Sequence, residues 1–359
     1  MTARIIAAKR SAVIPRGGAF ARHSIEELAA PVISALLAAA GIDPSAVDEM
    51  ICANALGAGG NPARRVALAS GLGHVAGLTV DRQCVGGLDA VLLARALVQS
   101  GAARVVIAGG VESYSRRPLR LRTDPDGGAA VPYDQPAFTP WPGRDPDMAM
   151  AAEALAQRLG MSRATQDAWA VASHAASLRA DMSGEIVPIA GQSRDTFARN
   201  LTPVLAARAP VITGSITAAN AAVAADAAAF VLVVADDHSG QRGMQIISGA
   251  TLGADPVEPG LAPVPAIAAA LARAGIGAGD LAEIEMMEAY AVQAIACVQG
   301  AGLDPARVNL SGGALARGHP IGASGAILAV RLFYQLHSGF GLAAIAAAGG
   351  IGTALVVRR

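Results

Sequence analysis

Aromatic side chains make up only 3% of this 359-residue chain, although hydrophobic residues make up 53%. An interior so poor in rings has to be filled by Ala, Val, Leu and Ile, in elements whose backbones approach one another closely. Cysteine is scarce as well. Cys52, Cys84 and Cys297 are an odd number without paired spacing, which argues against a disulfide framework or a structural zinc site. Charge of a prevailing sign is missing: 28 basic side chains face 28 acidic ones. That balance removes the footprint of nucleic-acid or anionic-membrane binding and favours a small-molecule substrate. No apolar run reaches the roughly 18 residues of a membrane span, and Met1-Thr2-Ala3-Arg4 leads into a strand-like run, unlike a signal peptide. A cytosolic protein is expected. No His/Cys/Asp cluster has metal-ligand spacing, and the glycine turns match neither dinucleotide nor P-loop fingerprints, so no metal and no tightly bound cofactor are expected.

What is present is internal repetition. "SALLAAAGIDPSAVDEMICANAL" and "AAALARAGIGAGDLAEIEMMEAYAV" both give an alanine-rich helix, an Ala-Gly-Ile stop, a loop and a strand, with Gly41 and Gly275 separated by 234 residues. "ARVVIAGGVES" is echoed by "LAAIAAAGGIGTALVV", with Gly109 and Gly349 separated by 240. Between these markers each half carries a glycine-rich turn before an apolar helical stretch, and the repeat places Cys84 opposite Gly318, beside His319. The alternation of strands and helices predicts an α/β protein with a mostly parallel sheet covered by helices. Ser24 and Glu27 have capping-box spacing ahead of the first clear helix, and Gly41 ends it. From Arg116 to about Pro146 the chain is rich in Pro, Arg and Asp without periodicity. Two helices joined at Gly160 follow, with Ser162 capping the second.

Two residues stand out chemically. Cys84 precedes Gly86-Gly87 and a helix, where the macrodipole and free amides favour a thiolate nucleophile; a buried structural thiol is the alternative. Cys52 in a strand and Cys297 in a helix are inert core groups. His319 stands in "GGALARGHPIGASGA", a tight turn in which an imidazole can act as base or hydrogen-bond donor. His23, His74, His238 and His337 lie in polar or helix-end contexts, and His174 is expected to be a satisfied surface group on an amphipathic helix. Met148 and Met150 are expected in helix packing.

At this point the chain resembles the thiolases, cysteine-dependent acyl-CoA acyltransferases. The resemblance rests on "NPARRVALASG", "RQCVGGLDAV", "AGGVESYSR", "MEAYA", "NLSGGALARGHPIGASGA" and the closing "GGIGTALVV", and covers nearly the whole chain. It implies two duplicated halves stacked into a five-layered α-β-α-β-α core. Residues 1–115 and 206–240 would form the first half, 241–359 the second, and 116–205 an inserted loop domain holding the pantetheine of coenzyme A.

Carried over residue by residue, the resemblance makes Cys84 the acyl-accepting nucleophile and His319 its activator. The amides of Cys84 and Ala348 match the donors to the acyl-enzyme oxygen. Ser248, Asn220 and Met148 fall in segments matching the pantetheine site. The substrate implied is a coenzyme A thioester, and the assembly a homodimer or homotetramer paired along "GLTVDRQC". A small zinc-containing acyl-CoA-binding protein is a further candidate partner. The departures are Ala346, where the family has a second cysteine that handles the α-proton, and Met287, where it has a water-orienting asparagine. Asp147 replaces a histidine near the pantetheine, and the loop domain is short. Acylation machinery is present, whereas carbon–carbon chemistry lacks its usual base. Glu288, Tyr290 or a second histidine-bound water are the candidate replacements, transfer to an acceptor that needs no α-proton removal is a further enzyme reading, and a non-catalytic acyl-CoA-binding subunit is the rival.

Overall fold

The computed structural model describes residues 2–57, 59–236 and 243–359. His238 and the expected boundary between 240 and 241 lie outside these residues.

The first half contributes β1 (Ala3–Ser11), α1 (Ile25–Ala40), β2 (Glu49–Ala53), α2 (Pro62–Ala69), β3 (Leu78–Val80), α3 (Gly86–Ser100) and β4 (Val105–Glu112). An excursion carrying α4 (Met148–Arg158) and α5 (Arg163–Arg179) follows, and β5 (Ala225–Ala235) returns to the sheet. The second half runs through β6 (Met244–Gly253), α6 (Pro263–Ala274), β7 (Leu281–Met286), α7 (Ala291–Gly300), α8 (Ile321–Gln335), β8 (Phe340–Ala347) and β9 (Ile351–Arg358).

Local chemistry sets the helix ends. Ser24 accepts from Glu27 N while the Glu27 carboxylate accepts from Ser24 N, and Gly41 closes α1 in the left-handed region at φ 63°. Gly275 does the same for α6 at φ 68°, so the two stops that mark the repeat have one conformation. Ser162 caps α5 by accepting from Thr165 N.

The strands form one hydrogen-bonded path, β7-β8-β9-β6-β1-β5-β4-β2-β3. Within it the first half runs β1-β5-β4-β2 and the second β6-β9-β8-β7, the same order twice, joined where β1 pairs with β6. The sheet is mixed and not mostly parallel: along the path only β2 with β3, β2 with β4, and β7 with β8 pair in parallel, and off it Ile186–Val187 adds a short parallel pairing to β1. The cause is connection length. β8 and β9 are joined by Ala348-Gly349-Gly350, too short for anything but an antiparallel return.

Five layers result. α1 and α2 cover the outer face of the first half-sheet through Leu28, Val32, Ile33 and Leu36, all fully buried and worth about 1.5–3 kcal/mol each. α6 and α7 cover the second half-sheet. Between the half-sheets α3 and α8 share one apolar core with both inner faces. Their backbones nearly touch: a Cβ on Gly87 would lie 2.7 Å from Ala326 N, and one on Gly325 2.4 Å from Leu88 N. The scarcity of rings noted in the sequence is what allows this middle layer.

Candidate active site

The turn from β3 into α3 is strained. Gln83 adopts φ 52°, a left-handed conformation that costs a side-chain-bearing residue about 1–3 kcal/mol, and its N–H is held by Asp81 Oδ1 at 2.9 Å. This turn places Cys84, half-buried, on the wall of a cavity of about 350 Å³. Ahead of α8, Gly318 at φ 110° admits no Cβ, since one would meet Ala225 Cβ at 2.9 Å. The next residue, His319, donates its backbone N–H to Val223 O at 2.8 Å. Thiol and imidazole therefore sit at the starts of the two central helices.

His319 Nε2 lies 3.1 Å from Cys84 Sγ, and Nδ1 lies 2.6 Å from Ser324 Oγ. The Ser324 hydroxyl donates to Pro320 O at 3.0 Å. With its single proton engaged there, Ser324 accepts from Nδ1–H, and the network assigns Nε2 the free lone pair that faces the thiol. Burial lowers the His319 pKa to about 4. Burial also pushes the Cys84 thiol up to about 12, against the pull of the Cys84 and Ala348 amides that point at the sulfur. Both directions favour a neutral thiol beside a neutral imidazole. A standing thiolate, expected from the helix start alone, gives way because desolvation disfavours the anion more than two amides favour it.

Ala346, Ala347 and Ala348 line the same cavity. Gly349 and Gly350, at φ 77° and 74°, make the turn that presents the Ala348 amide, so the closing segment offers backbone and almost no side chain. Tyr114, Phe138, Met148 and Leu155 from the excursion form one wall, and Tyr290, Gln293 and Ile321 another.

The sequence matches the thiolase N-terminal domain over residues 3–237 and the thiolase C-terminal domain over 242–359. The chain belongs to the thiolase family. It is 38% identical over 375 residues to the Bacillus subtilis (strain 168) protein named "Putative acetyl-CoA C-acetyltransferase YhfS", covering 99% of each. It is 35% identical over 381 residues to the Staphylococcus aureus (strain MRSA252) protein named "Putative acetyl-CoA C-acetyltransferase VraB", covering 99% of this chain and 98% of that one. Among solved structures, the Bacillus anthracis acetyl-CoA acetyltransferase superposes with a TM-score of 0.92 at 32% identity, covering 99% and 98% of the two chains. The Ascaris suum Acat5 thiolase, solved in complex with coenzyme A, superposes with a TM-score of 0.92 at 27% identity over the full length of both. This thiolase is an acyltransferase.

Cys84, His319, Ala348 and Met148 are brought together at the cavity; Glu288, Ser248 and Asn220 are not among its lining residues. Glu288 is buried and accepts from Trp169 Nε1 at 3.0 Å, Ser173 Oγ at 2.8 Å, Asn309 Nδ2 at 2.8 Å and Leu315 N at 3.2 Å. So engaged, it knits the excursion to the second half and does not face the cavity as a base. Ser248, buried in β6, donates to Ala270 O at 2.7 Å and ties α6 to the sheet. Asn220, also buried, accepts from Thr217 N and donates to Asp167 Oδ1 and Ser215 O, pinning a turn.

Asp147 caps α4, accepting from Ala149 N and Met150 N. Met150 is 64% exposed and packs in no core, whereas Met287 is fully packed. His174 is buried instead of on the surface, because its ring packs on Phe197 and its Nδ1 accepts from Arg199 N. Cys52 and Cys297 are buried, the latter donating to Gly260 O at 3.0 Å. Sequence reasoning missed Ser324 and Glu112, although both stand in quoted motifs, because their roles depend on what the fold brings opposite them. Among the described residues no group of three or more His, Cys, Asp or Glu could hold a metal ion, and no helix is long and apolar enough to cross a membrane.

Proposed function

We propose that this thiolase takes an acyl group from a coenzyme A thioester onto Cys84 and passes it to an acceptor. The observation that carries the reading is the Sγ···Nε2 contact of 3.1 Å at the wall of a cavity large enough for a thioester and part of its pantetheine arm. As the Cys84 sulfur attacks the thioester carbonyl, its proton moves to Nε2, and Ser324 holds the imidazolium that forms. The carbonyl oxygen gains charge and is received by the amides of Cys84 and Ala348, worth about 10²- to 10³-fold in rate for each donor. Collapse breaks the bond to the coenzyme A sulfur, which takes the proton from Nε2 and leaves as the free thiol. A neutral resting pair suits this sequence, since charge appears only as the bond forms.

The second half-reaction lacks the family's thiol base, because Ala346 has no proton to exchange; Met287, buried and not among the cavity's lining residues, likewise cannot orient a water as the family's asparagine would. The relatives' names point to transfer onto carbon. If this chain does the same, His319 is the base within reach of Cys84 that must also serve the acceptor. An aligned Cys84–His319 pair argues against a purely non-catalytic binding subunit. We further infer that copies pair through β3, the free end of the sheet path, where Leu78 is 47% exposed. Intact-protein mass after exposure to a panel of acyl-CoAs tests the reading. One acyl mass should appear on the unaltered protein and vanish in Cys84→Ala; an adduct that persists, or maps to Cys52 or Cys297, refutes it.

A further inference from the structure

The "GGVES" and "GHPIG" segments lie about 210 residues apart in sequence, yet a single buried carboxylate joins them. Glu112, at the end of β4, accepts from Gly322 N in the first turn of α8 at 2.9 Å and from Ala55 N at 2.9 Å through Oε2. Its Oε1 accepts from Asn54 Nδ2 at 2.8 Å and Leu56 N at 3.3 Å. All four partners are donors, so the site is built for the ionised form, and a protonated carboxyl would turn a hydrogen toward an N–H. The glycines at this junction have a reason in the same group. A Cβ on Gly322 would meet Ala53 O at 2.9 Å and Glu112 Oε2 at 3.0 Å, and one on Gly110 would meet Gly322 O at 2.0 Å.

Each side of the clamp leads to a reacting group. Gly322 is three residues after His319. On the other side Asn54 N donates to Val80 O at 3.2 Å, and Val80 ends β3 four residues before Cys84. Arg120 grips the same turn from its carbonyl side, with Nη2 donating to Ala55 O at 3.1 Å and Leu56 O at 2.8 Å. Burial pushes the Glu112 carboxyl up to about 7 despite its amide donors.

We propose that Glu112 is a positioning residue whose carboxylate sets the Cys84–His319 geometry by holding the Asn54–Leu56 turn against the start of α8. It touches neither substrate nor sulfur. The inference rests on the acyl-enzyme reading above, whereas the alkylation arm of its test does not. The groups that feel the carboxylate are Asp81 and Cys84 from the turn before α3, Cys52 on β2, and Tyr114 further along its own segment. Behind it a smaller cavity brings Glu26, Arg65, Arg116 and Arg117 to the same side.

The experiment compares the unaltered protein with Glu112→Gln by two rates against pH: Cys84 acylation by an acyl-CoA, and Cys84 alkylation by iodoacetamide. The unaltered protein should lose both rates as pH falls through about 7, where the clamp takes up its proton. Glu112→Gln should abolish that limb and lower the acylation plateau by about 10- to 100-fold at unchanged KM, the cost of a misplacement of up to about 1 Å. If the variant does not fold, Asn54→Ala removes one donor from the carboxylate and should move the limb upward in pH. An acylation plateau within twofold, or a limb unmoved in either variant, overturns the proposal. A protein that is alkylated with the expected limb but never acylated would instead refute the acyl-enzyme reading and leave Glu112 its role.

Discussion

Ser324→Ala isolates the contact that orients His319. Ser324 Oγ is buried, lies 2.6 Å from Nδ1, and spends its own proton on Pro320 O. In the ground state it holds a neutral imidazole with Nε2 toward the thiol; during attack the same bond faces an imidazolium. A hydrogen bond to a charged group contributes about 1.5–3 kcal/mol, and at about 1.36 kcal/mol per decade its loss slows acylation by roughly 10- to 150-fold. Unfolding stability should fall by no more than about 1–3 kcal/mol, the cost of one unsatisfied buried donor. The assay is single-turnover acylation of Cys84 followed by intact mass, with acyl-CoA varied up to saturation so that binding and chemistry separate. A rate within twofold of the unaltered protein would mean that the ring is held by packing and that the tautomer assignment carries no weight. A change confined to the concentration dependence would place Ser324 in binding.

Ala346→Cys should raise condensation or thiolysis over the unaltered protein by up to about 10²- to 10⁴-fold, the usual worth of a positioned base, measured by acetoacetyl-CoA turnover. Met287→Asn should add to it, though not independently, because both act on one transition state; ample thiolysis untouched by either would show that another group supplies the base. His174 and His319 have pKa values lowered to about 4 by burial, against about 6.5 in the unfolded chain, so the unfolded state binds more protons between those values. Stability should therefore fall as pH drops from about 6.5 toward 4, and His174→Gln should flatten that slope in a series of thermal melts; an unchanged slope would put the loss elsewhere. Leu78→Asp should weaken or abolish self-association measured by light scattering, whereas a monomeric unaltered protein at micromolar concentration would remove the basis for pairing through β3.

Much of the fold was legible because its signals are local or repeated. The Ser24/Glu27 box, the Gly41 and Gly275 stops and the Ser162 cap each act within one turn of chain, and they stand as the residues suggested. The repeat set Cys84 opposite His319 because α3 and α8 are equivalent helices in the two halves. What depends on distant partners was not legible. Strand direction follows how the chain returns, which residue patterns do not encode. His174 looks amphipathic until Phe197 closes over it. Glu288 stands in a family motif yet is consumed by Trp169 and Ser173 from α5 and by Asn309 from the second half, partners that the motif itself does not reveal. The thiolate expectation meets a related limit: a helix start can be read from sequence, but the burial that opposes it cannot.

The contact between Gly87 and Gly325 has a consequence for the order of events in the life of the chain. Cys84 rides on the first half and His319 on the second, and they meet where the two central helices come into backbone contact. A nascent or partly unfolded chain therefore carries a thiol with no imidazole beside it, no matter how complete the first half is. Reactivity becomes a property of the docked halves, so the rate at which Cys84 gains its histidine-assisted chemistry reports the last step of assembly. Any residue larger than glycine at that crossing would press a Cβ into the facing helix backbone, at the junction where Cys84 and His319 are brought together.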